Sequence, residues 1–442
     1  MTRLFTVVLA VSLALAPGAA VSAPLRLVRD AEIEHAIRLY STPVFEAAGL
    51  DPLAVNVYLV QDKRINAFVA GGMNLFINTG LIMKADNAGE LIGVIAHETG
   101  HIAGGHLART SEALRGARGL ALLSLILGAA VIAAGGGEAG VGAIVGGTGV
   151  AERSLLSYSR AQENAADQAG MRYLDIAGLS AEGMLSFIGK LADQELLSPN
   201  QQDPYLRTHP LTRDRIAALR RHVETSAQTG KPLPESYDTL FDRVRAKLTG
   251  YLEPPGTTRR RYPESDVSLP ARYARALALY READVAAAIA AIDALLDDAP
   301  DDPFFLELKG QVYFENGDAA LAVPEYRRAV ALLPDEPLLR FGLAQALLDS
   351  GDDAVVDEAI ETLEAVVRRD RDYPATWRLL GLAYGRAGRD AESALAAAES
   401  AFLFDRRADA RHFAERALKG LEPGSPNWLH AQDILSATEA EP

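Results

Sequence analysis

Beyond residue 270 the chain repeats itself every 34 residues: Ala288, Ile292 and Pro300 recur as Ala322, Tyr326 and Pro334. A unit of that length, with small and bulky apolar residues at helical spacing, is one pair of antiparallel helices. Such a pair cannot bury its apolar face alone, so successive pairs must stack, and residues 270–442 are constrained to an all-α solenoid. Trp377-x-x-Leu380-Gly381-x-x-Tyr384 marks a further unit. Pro334 to Pro374 is 40 residues, which places a six-residue insertion near Asp352–Asp357. Asp390–Leu403, Asp409–Leu421 and Asn427–Leu435 are predicted to finish the array. Stacked pairs make a concave surface suited to peptides or partner proteins. The acidic runs Asp297-Asp298 and Asp301-Asp302 read as solvated faces.

A length of 442 residues leaves room for two to four domains at roughly 100–200 residues each. Lys and Arg total 44 against 59 Asp and Glu, a net charge of −15. Phosphate recognition needs a basic footprint, so no nucleic-acid partner is expected. Cysteine is absent, which removes thiolate catalysis, Cys-ligated zinc, iron–sulfur clusters and disulfides together. Residues 1–23 read as a secretory signal: Arg3, the apolar run Leu4–Ala16, then the small-residue zone Pro17–Ala23. Cleavage is expected after Ala23, although Pro24 would then follow the cut, or after Ala20. The apolar run is short for an uncleaved bilayer anchor. An exported chain without thiols suits a periplasm.

After the signal the pattern predicts a helix over Asp30–Ala48 and short strands over Ala54–Val60, Ile65–Ala70 and Asn74–Asn78, with Gly71-Gly72 as a turn. Helices are predicted over Asp86–Arg115, Leu155–Ala177, Ala181–Leu197 and Thr212–Ser226. Residues 226–269 read as a connector with one amphipathic helix, Tyr237–Leu252, and a linker, Pro254–Pro263. Residues 119–136 are apolar without a charge and would make roughly 27 Å of helix. They fit either a peripheral membrane contact or lid, or a buried helix followed by the glycine-rich loop 135–149.

The chemistry sits in His97-Glu98-Thr99-Gly100-His101. Histidines at i and i+4 share one helical face, so both imidazoles can reach one zinc ion, with Glu98 placed to take a proton from water. The apolar run Leu91–Ala96 sets this helix in a core. A catalytic zinc needs a third protein ligand and one open position. Gly104 would suit an extended motif with a histidine at 107, but Leu107 stands there and His106 is one residue off phase, reading as a supporting or surface histidine. The best third ligand is Glu163, which shares a helix face with Asp167 at i+4; one carboxylate can bind metal while the other hydrogen-bonds a ligating histidine. Zinc over another divalent ion follows from ligand type alone.

His209 precedes Pro210, a residue suited to a first helical position, and so reads as an exposed cap. There it could swing onto the open metal position as a gate or serve only as a cap. Arg215 could contact substrate or developing oxyanion charge, or make a helix salt bridge. The strands at Arg64–Ala70 and Asn74–Asn78 could hold an extended substrate at a sheet edge, or be internal.

These residues carry a family resemblance. His97-Glu98-x-x-His101 followed by Glu163-x-x-x-Asp167, with His209-Pro210-x-x-x-x-Arg215, resembles the M48 peptidases, and the Trp377–Tyr384 signature resembles tetratricopeptide repeats. With the export signal and repeat tail, the chain is most similar to periplasmic M48 metallopeptidases of the β-barrel assembly-enhancing type. The resemblance implies an α+β zincin-like peptidase domain, mostly helical with a small sheet, over residues 24–225, and a tetratricopeptide solenoid over 270–442. It implies one zinc held by His97, His101 and Glu163, Glu98 as general base and Asp167 as a supporting acid. It further implies misfolded or misassembled envelope proteins as substrates and contact with outer-membrane assembly machinery through the repeats. The other expectations are a largely latent protease acting as a chaperone-like scaffold, or a membrane-embedded M48 peptidase.

Overall fold

A computed structural model describes residues 26–70, 72–106, 160–192 and 202–439. The signal at 1–23 and the apolar and glycine-rich run at 119–149 lie outside the described residues. Among the described residues, no helix is long and apolar enough to cross a membrane.

Strands β1 (Leu27–Val28), β2 (Asn56–Val60), β3 (Ala67–Ala70) and β4 (Asn74–Asn78) form one sheet in the order β1-β2-β4-β3. β2 and β4 are parallel, and the two outer strands are antiparallel to their neighbours. Period-2 alternation sends Leu59, Leu75, Ile77 and Ala67 to the buried face. On the other face Tyr58, Phe76 and Phe68 stack across the strands, with ring centroids 5.1 and 4.9 Å apart. The two-residue β1 is too short to show alternation, so nothing in its sequence announced it.

The buried face packs on α1 (Ala31–Ala47) and α3 (Ala88–Ala103), with the short α2 (Thr79–Lys84) between sheet and core. Asp30 and Asn87 cap α1 and α3 by accepting from the backbone N–H of Ile33 and Glu90. α3 ends at Ala103 because Gly105 turns the chain at φ +60°, so the helix expected over Asp86–Arg115 is interrupted there; its residues 107–115 lie outside the described residues. Helix α4 covers 160–176 and is followed by α5 (Glu182–Ala192), α6 (Pro204–Thr208) and α7 (Arg213–Thr225).

α8 (Glu235–Leu252) is more than a connector: Tyr237, Phe241, Val244 and Leu248 complete the same core as α1 and α3. The expected linker holds a helix, α9 (Pro255–Arg261), which starts on a proline because the first turn needs no amide donor there. The repeat helices follow as α10 (Leu269–Arg281), α11 (Val285–Asp298), α12 (Pro303–Glu315), α13 (Ala319–Leu332) and α14 (Pro337–Asp349). Next come α15 (Val356–Arg369), α16 (Pro374–Arg386), α17 (Asp390–Leu403), α18 (Arg407–Leu418) and α19 (Pro426–Glu439). The expected insertion is a 3-10 turn at Asp353–Val355. Trp377, Leu380 and Tyr384 face inward and are buried.

The first repeats grip the start of α1 through a buried charge cluster. Glu32, fully buried, forms an ion pair with Arg243 at 2.7 Å and accepts a hydrogen bond from the Tyr273 hydroxyl at 2.8 Å. Lys247 meets Asp30 at 2.8 Å, and Arg243 also meets Asp302 at 2.5 Å.

Candidate metal centre

Two helices carry the site, and a close crossing sets their distance. A Cβ on Gly100 would lie 2.6 Å from the carbonyl oxygen of Ala166, so only glycine lets α4 come this near α3. At that separation the i, i+4 pair His97/His101 on α3 faces the i, i+4 pair Glu163/Asp167 on α4. Glu163 and Asp167 are 3% and 2% exposed, which rules out a solvated acidic face.

The donor atoms converge. His97 Nε2 lies 3.1 Å from His101 Nε2 and 3.4 Å from Glu163 Oε2, and His101 Nε2 lies 3.2 Å from Glu163 Oε1. His209 Nδ1 is 3.2 Å from both His97 Nε2 and the Glu163 carboxylate. One ligand atom from each of His97, His101, Glu163 and His209 falls within 4.8 Å of all the others. Donors about 2.0–2.2 Å from one ion in a tetrahedron sit about 3.3–3.6 Å apart. Spacings of 3.1–3.4 Å come within a few tenths of an ångström of that figure, so the residues fit a divalent cation.

Neighbouring groups fix each ligand. His97 Nδ1 donates to Asp167 Oδ1 at 2.8 Å, which turns Nε2 toward the other donor atoms. Arg215, 2% exposed, donates to Asp167 through Nε at 2.5 Å and Nη2 at 2.8 Å, and its Nη1 lies 2.9 Å from Glu163 Oε2. Nη1 also donates to the carbonyl of Pro210 at 2.8 Å. Burial disfavours the charged carboxyl of Asp167, but Arg215 and His97 outweigh it and draw its pKa down to about 2. Burial likewise opposes ionisation of Glu163, and hydrogen bonds from His101, His209 and His97 still hold it far below the ordinary carboxylate range. Burial alone would make His97 lose its proton early; Asp167 and Glu163 reverse this and push its pKa up to about 10. For His101 burial prevails and its pKa is lowered.

All the residues singled out from sequence meet here: His97, Glu98, His101, Glu163, Asp167, His209 and Arg215. His209 and Arg215 take positions other than the exposed cap and the substrate contact or helix salt bridge expected of them, while His106 takes the supporting position. His209 is 6% exposed and ends α6, while Thr212 caps α7 by accepting from the amide of Arg215. Arg215 is spent on the two carboxylates. His106, 5% exposed, folds back so that its Nδ1 meets His101 Nδ1 at 3.1 Å. A Cβ on Gly104 would be 2.5 Å from the His106 ring, so the glycine makes the room that this return needs. Tyr205, buried behind His209 at a centroid distance of 4.7 Å, carried no signal in the sequence. Both carboxylate oxygens of Glu98 are buried without a hydrogen-bond partner among the described residues; His209 Nε2 stands 3.4 Å away.

With this geometry in place, the comparisons with known proteins are specific. The family model described as "Peptidase family M48" matches residues 30–223, and two tetratricopeptide-repeat models match 273–337 and 313–383. The chain carries an M48 peptidase domain followed by tetratricopeptide repeats. The M48 domain and repeats together are 29% identical over 358 residues to the β-barrel assembly-enhancing protease of Yersinia pestis, covering 78% of this chain and 71% of that protein. They are 26% identical over 337 residues to the protein of the same name from Escherichia coli K12, covering 74% of this chain and 66% of its relative. Among solved structures, YrrB, described as a TPR protein with an unusual peptide-binding site, aligns at 17% identity and a TM-score of 0.33, over 41% of this chain and 94% of its own.

Proposed function

We propose that this chain is a zinc endopeptidase of the bacterial periplasm that removes, or helps to assemble, misfolded envelope and outer-membrane proteins. The observation that carries the reading is the convergence of His97, His101 and Glu163 at tetrahedral spacing beside the unpartnered carboxylate of Glu98. Two histidines and a glutamate form a donor set suited to catalytic zinc. Zinc held there supplies Lewis acidity toward water and a peptide carbonyl. Glu98 accepts the proton of the attacking water and delivers it to the departing amine as the C–N bond breaks. Asp167 holds the His97 tautomer, and Arg215 holds Asp167. An extended substrate adds to β3, which pairs only with β4 among the described residues and packs beside α3. The relatives' names support the substrate class, and residues 1–23 support export.

His209 supports a latent resting state within this reading. Its Nδ1 occupies the fourth corner of the donor set, where a hydrolytic enzyme needs an opening. If the open state is populated about one part in ten, freeing it raises turnover about tenfold. Purified, zinc-loaded protein is therefore expected to cleave an unfolded polypeptide slowly, His209→Ala to cleave it about ten times faster, and chelation to abolish both. An unchanged rate in His209→Ala overturns the gate, and cleavage that survives chelation overturns the metallopeptidase.

His106 backs His101 as Asp167 backs His97. A contact between two Nδ1 atoms at 3.1 Å requires one to carry the proton; with His101 ligating through Nε2, its Nδ1–H donates and His106 accepts. His106→Phe is expected to weaken zinc affinity about 10–100-fold in a chelator competition assay, the usual effect of removing such a partner. Unchanged affinity would mean that His106 only fills space.

A further inference from the structure

The far end of the repeat array opens a groove that nothing in the M48 chemistry uses. It measures about 650 Å³ and lies between α16, α17 and the start of α18. Trp377, Leu380 and Tyr384 turn one face of α16 into the solenoid core, and the opposite row, Arg378, Leu382, Gly385 and Arg386, faces the groove. Leu382 is 49% exposed, and Phe404, across the groove, is 60% exposed. Large apolar side chains this open, facing one another over a concave floor, are unusual on a surface that meets only water.

The floor asks for an apolar occupant. Its backbone side is small, made by Gly381, Ala397 and Ala401. Its two hydroxyls are already used: Ser393 donates to the carbonyl of Gly381 at 2.8 Å and Ser400 to that of Pro374 at 3.2 Å. The rim asks for an anion. Arg378, Arg386 and Arg406 line the groove, no Asp or Glu does, and the whole chain carries −15. Arg386 donates to the carbonyl of Leu348, and Arg406 pairs with Asp409 at 2.5 Å. Arg378 is exposed and makes no hydrogen bond or ion pair among the described residues, so its guanidinium is available as a bidentate carboxylate donor.

Arg378 and Leu382 are one helical turn apart, about 5–6 Å between Cβ atoms. One terminal residue can therefore set its side chain on Leu382 while its carboxylate stays within reach of the flexible Arg378 side chain. We infer that this groove binds the free C-terminus of a polypeptide ending in a bulky apolar residue. The terminal carboxylate is taken by Arg378, and the side chain lies between Leu382, Phe404 and Phe413. The inference does not depend on the metal centre, and its failure would leave the peptidase reading intact.

Fluorescence anisotropy on the full chain, with a labelled ten-residue peptide ending in phenylalanine, tests it. The free-acid peptide is expected to bind, and its C-terminal amide to bind about tenfold or more weakly. Arg378→Glu is expected to abolish the difference between acid and amide. Leu382→Ser is expected to weaken both, with phenylalanine moved to an internal position behaving like the amide. Arg378 and Leu382 are exposed, so neither change threatens folding, and cleavage of an unfolded polypeptide should stay at the level of the unmodified chain. Equal binding of acid and amide, or binding indifferent to Arg378→Glu, overturns the inference.

Discussion

Glu98→Gln is expected to reduce peptide cleavage by about 10²–10⁴-fold, the range of a general base, while zinc content and stability stay at the level of the unmodified chain. Glutamine keeps the shape of the side chain, so no cavity opens in a site where Glu98 is fully buried. It touches none of the ligand atoms through a hydrogen bond, because the carboxylate makes none among the described residues. Its one charged neighbour among the described residues, His209 Nε2 at 3.4 Å, lies beyond good hydrogen-bond length and keeps a polar oxygen to face in glutamine. The measurement is turnover of a quenched peptide alongside metal analysis of the same sample. Activity within threefold of the unmodified chain would remove Glu98 from the chemistry. The same variant in cells separates enzyme from scaffold: a scaffold would keep its cellular function, and a protease would lose it.

Arg215→Met is expected to cost about 3–5 kcal/mol of stability, the penalty for leaving a buried charge without its counterpart. Methionine preserves length, so the loss reports charge more than volume. Arg215 is the cation shared by Asp167 and Glu163, both almost wholly buried. The acid dependence follows with a definite sign. Asp167 has its carboxyl drawn below the ordinary value, to about 2, so the folded state holds fewer protons there than the unfolded one. That contribution is fully present above the ordinary aspartate pKa of about 4 and disappears as pH falls from about 4 to 2. Without Arg215 the carboxyl titrates higher, and acid unfolding should begin at a higher pH. Urea titration followed by far-UV ellipticity at pH 7 and through the acid range checks both effects. A loss below about 1 kcal/mol would show that solvent or His97 alone can balance Asp167.

What sequence made legible, and what it did not, divides along local against tertiary geometry. The pairs His97/His101 and Glu163/Asp167 each sit one turn apart on one helix, so helical period alone put each pair on a common face. That the faces meet depends on Gly100 lying against Ala166, a contact across 66 positions that no local pattern encodes. Helical period also missed the break after Ala103, where the left-handed turn at Gly105 sends His106 back behind His101. At His209 the proline rule misled: Pro210 suggested a helix start, but Thr212 is the residue whose side chain can cap the amide of Arg215. The repeats were more open to reading, since each helix pair touches mainly its sequence neighbours. The charge cluster that joins them to α1 was not, since Glu32 and Tyr273 lie 241 positions apart.

That cluster means the repeat arm is no detachable cassette. Shortening the chain before Tyr273 would strip Glu32 of its hydroxyl donor and Arg243 of Asp302, while α8 would remain wedged in the peptidase interior. Whatever tugs on the outer repeats therefore pulls on the first turn of α1 and on the sheet beside the active helices. The two halves share one buried seam, and disturbing either side of it disturbs the other.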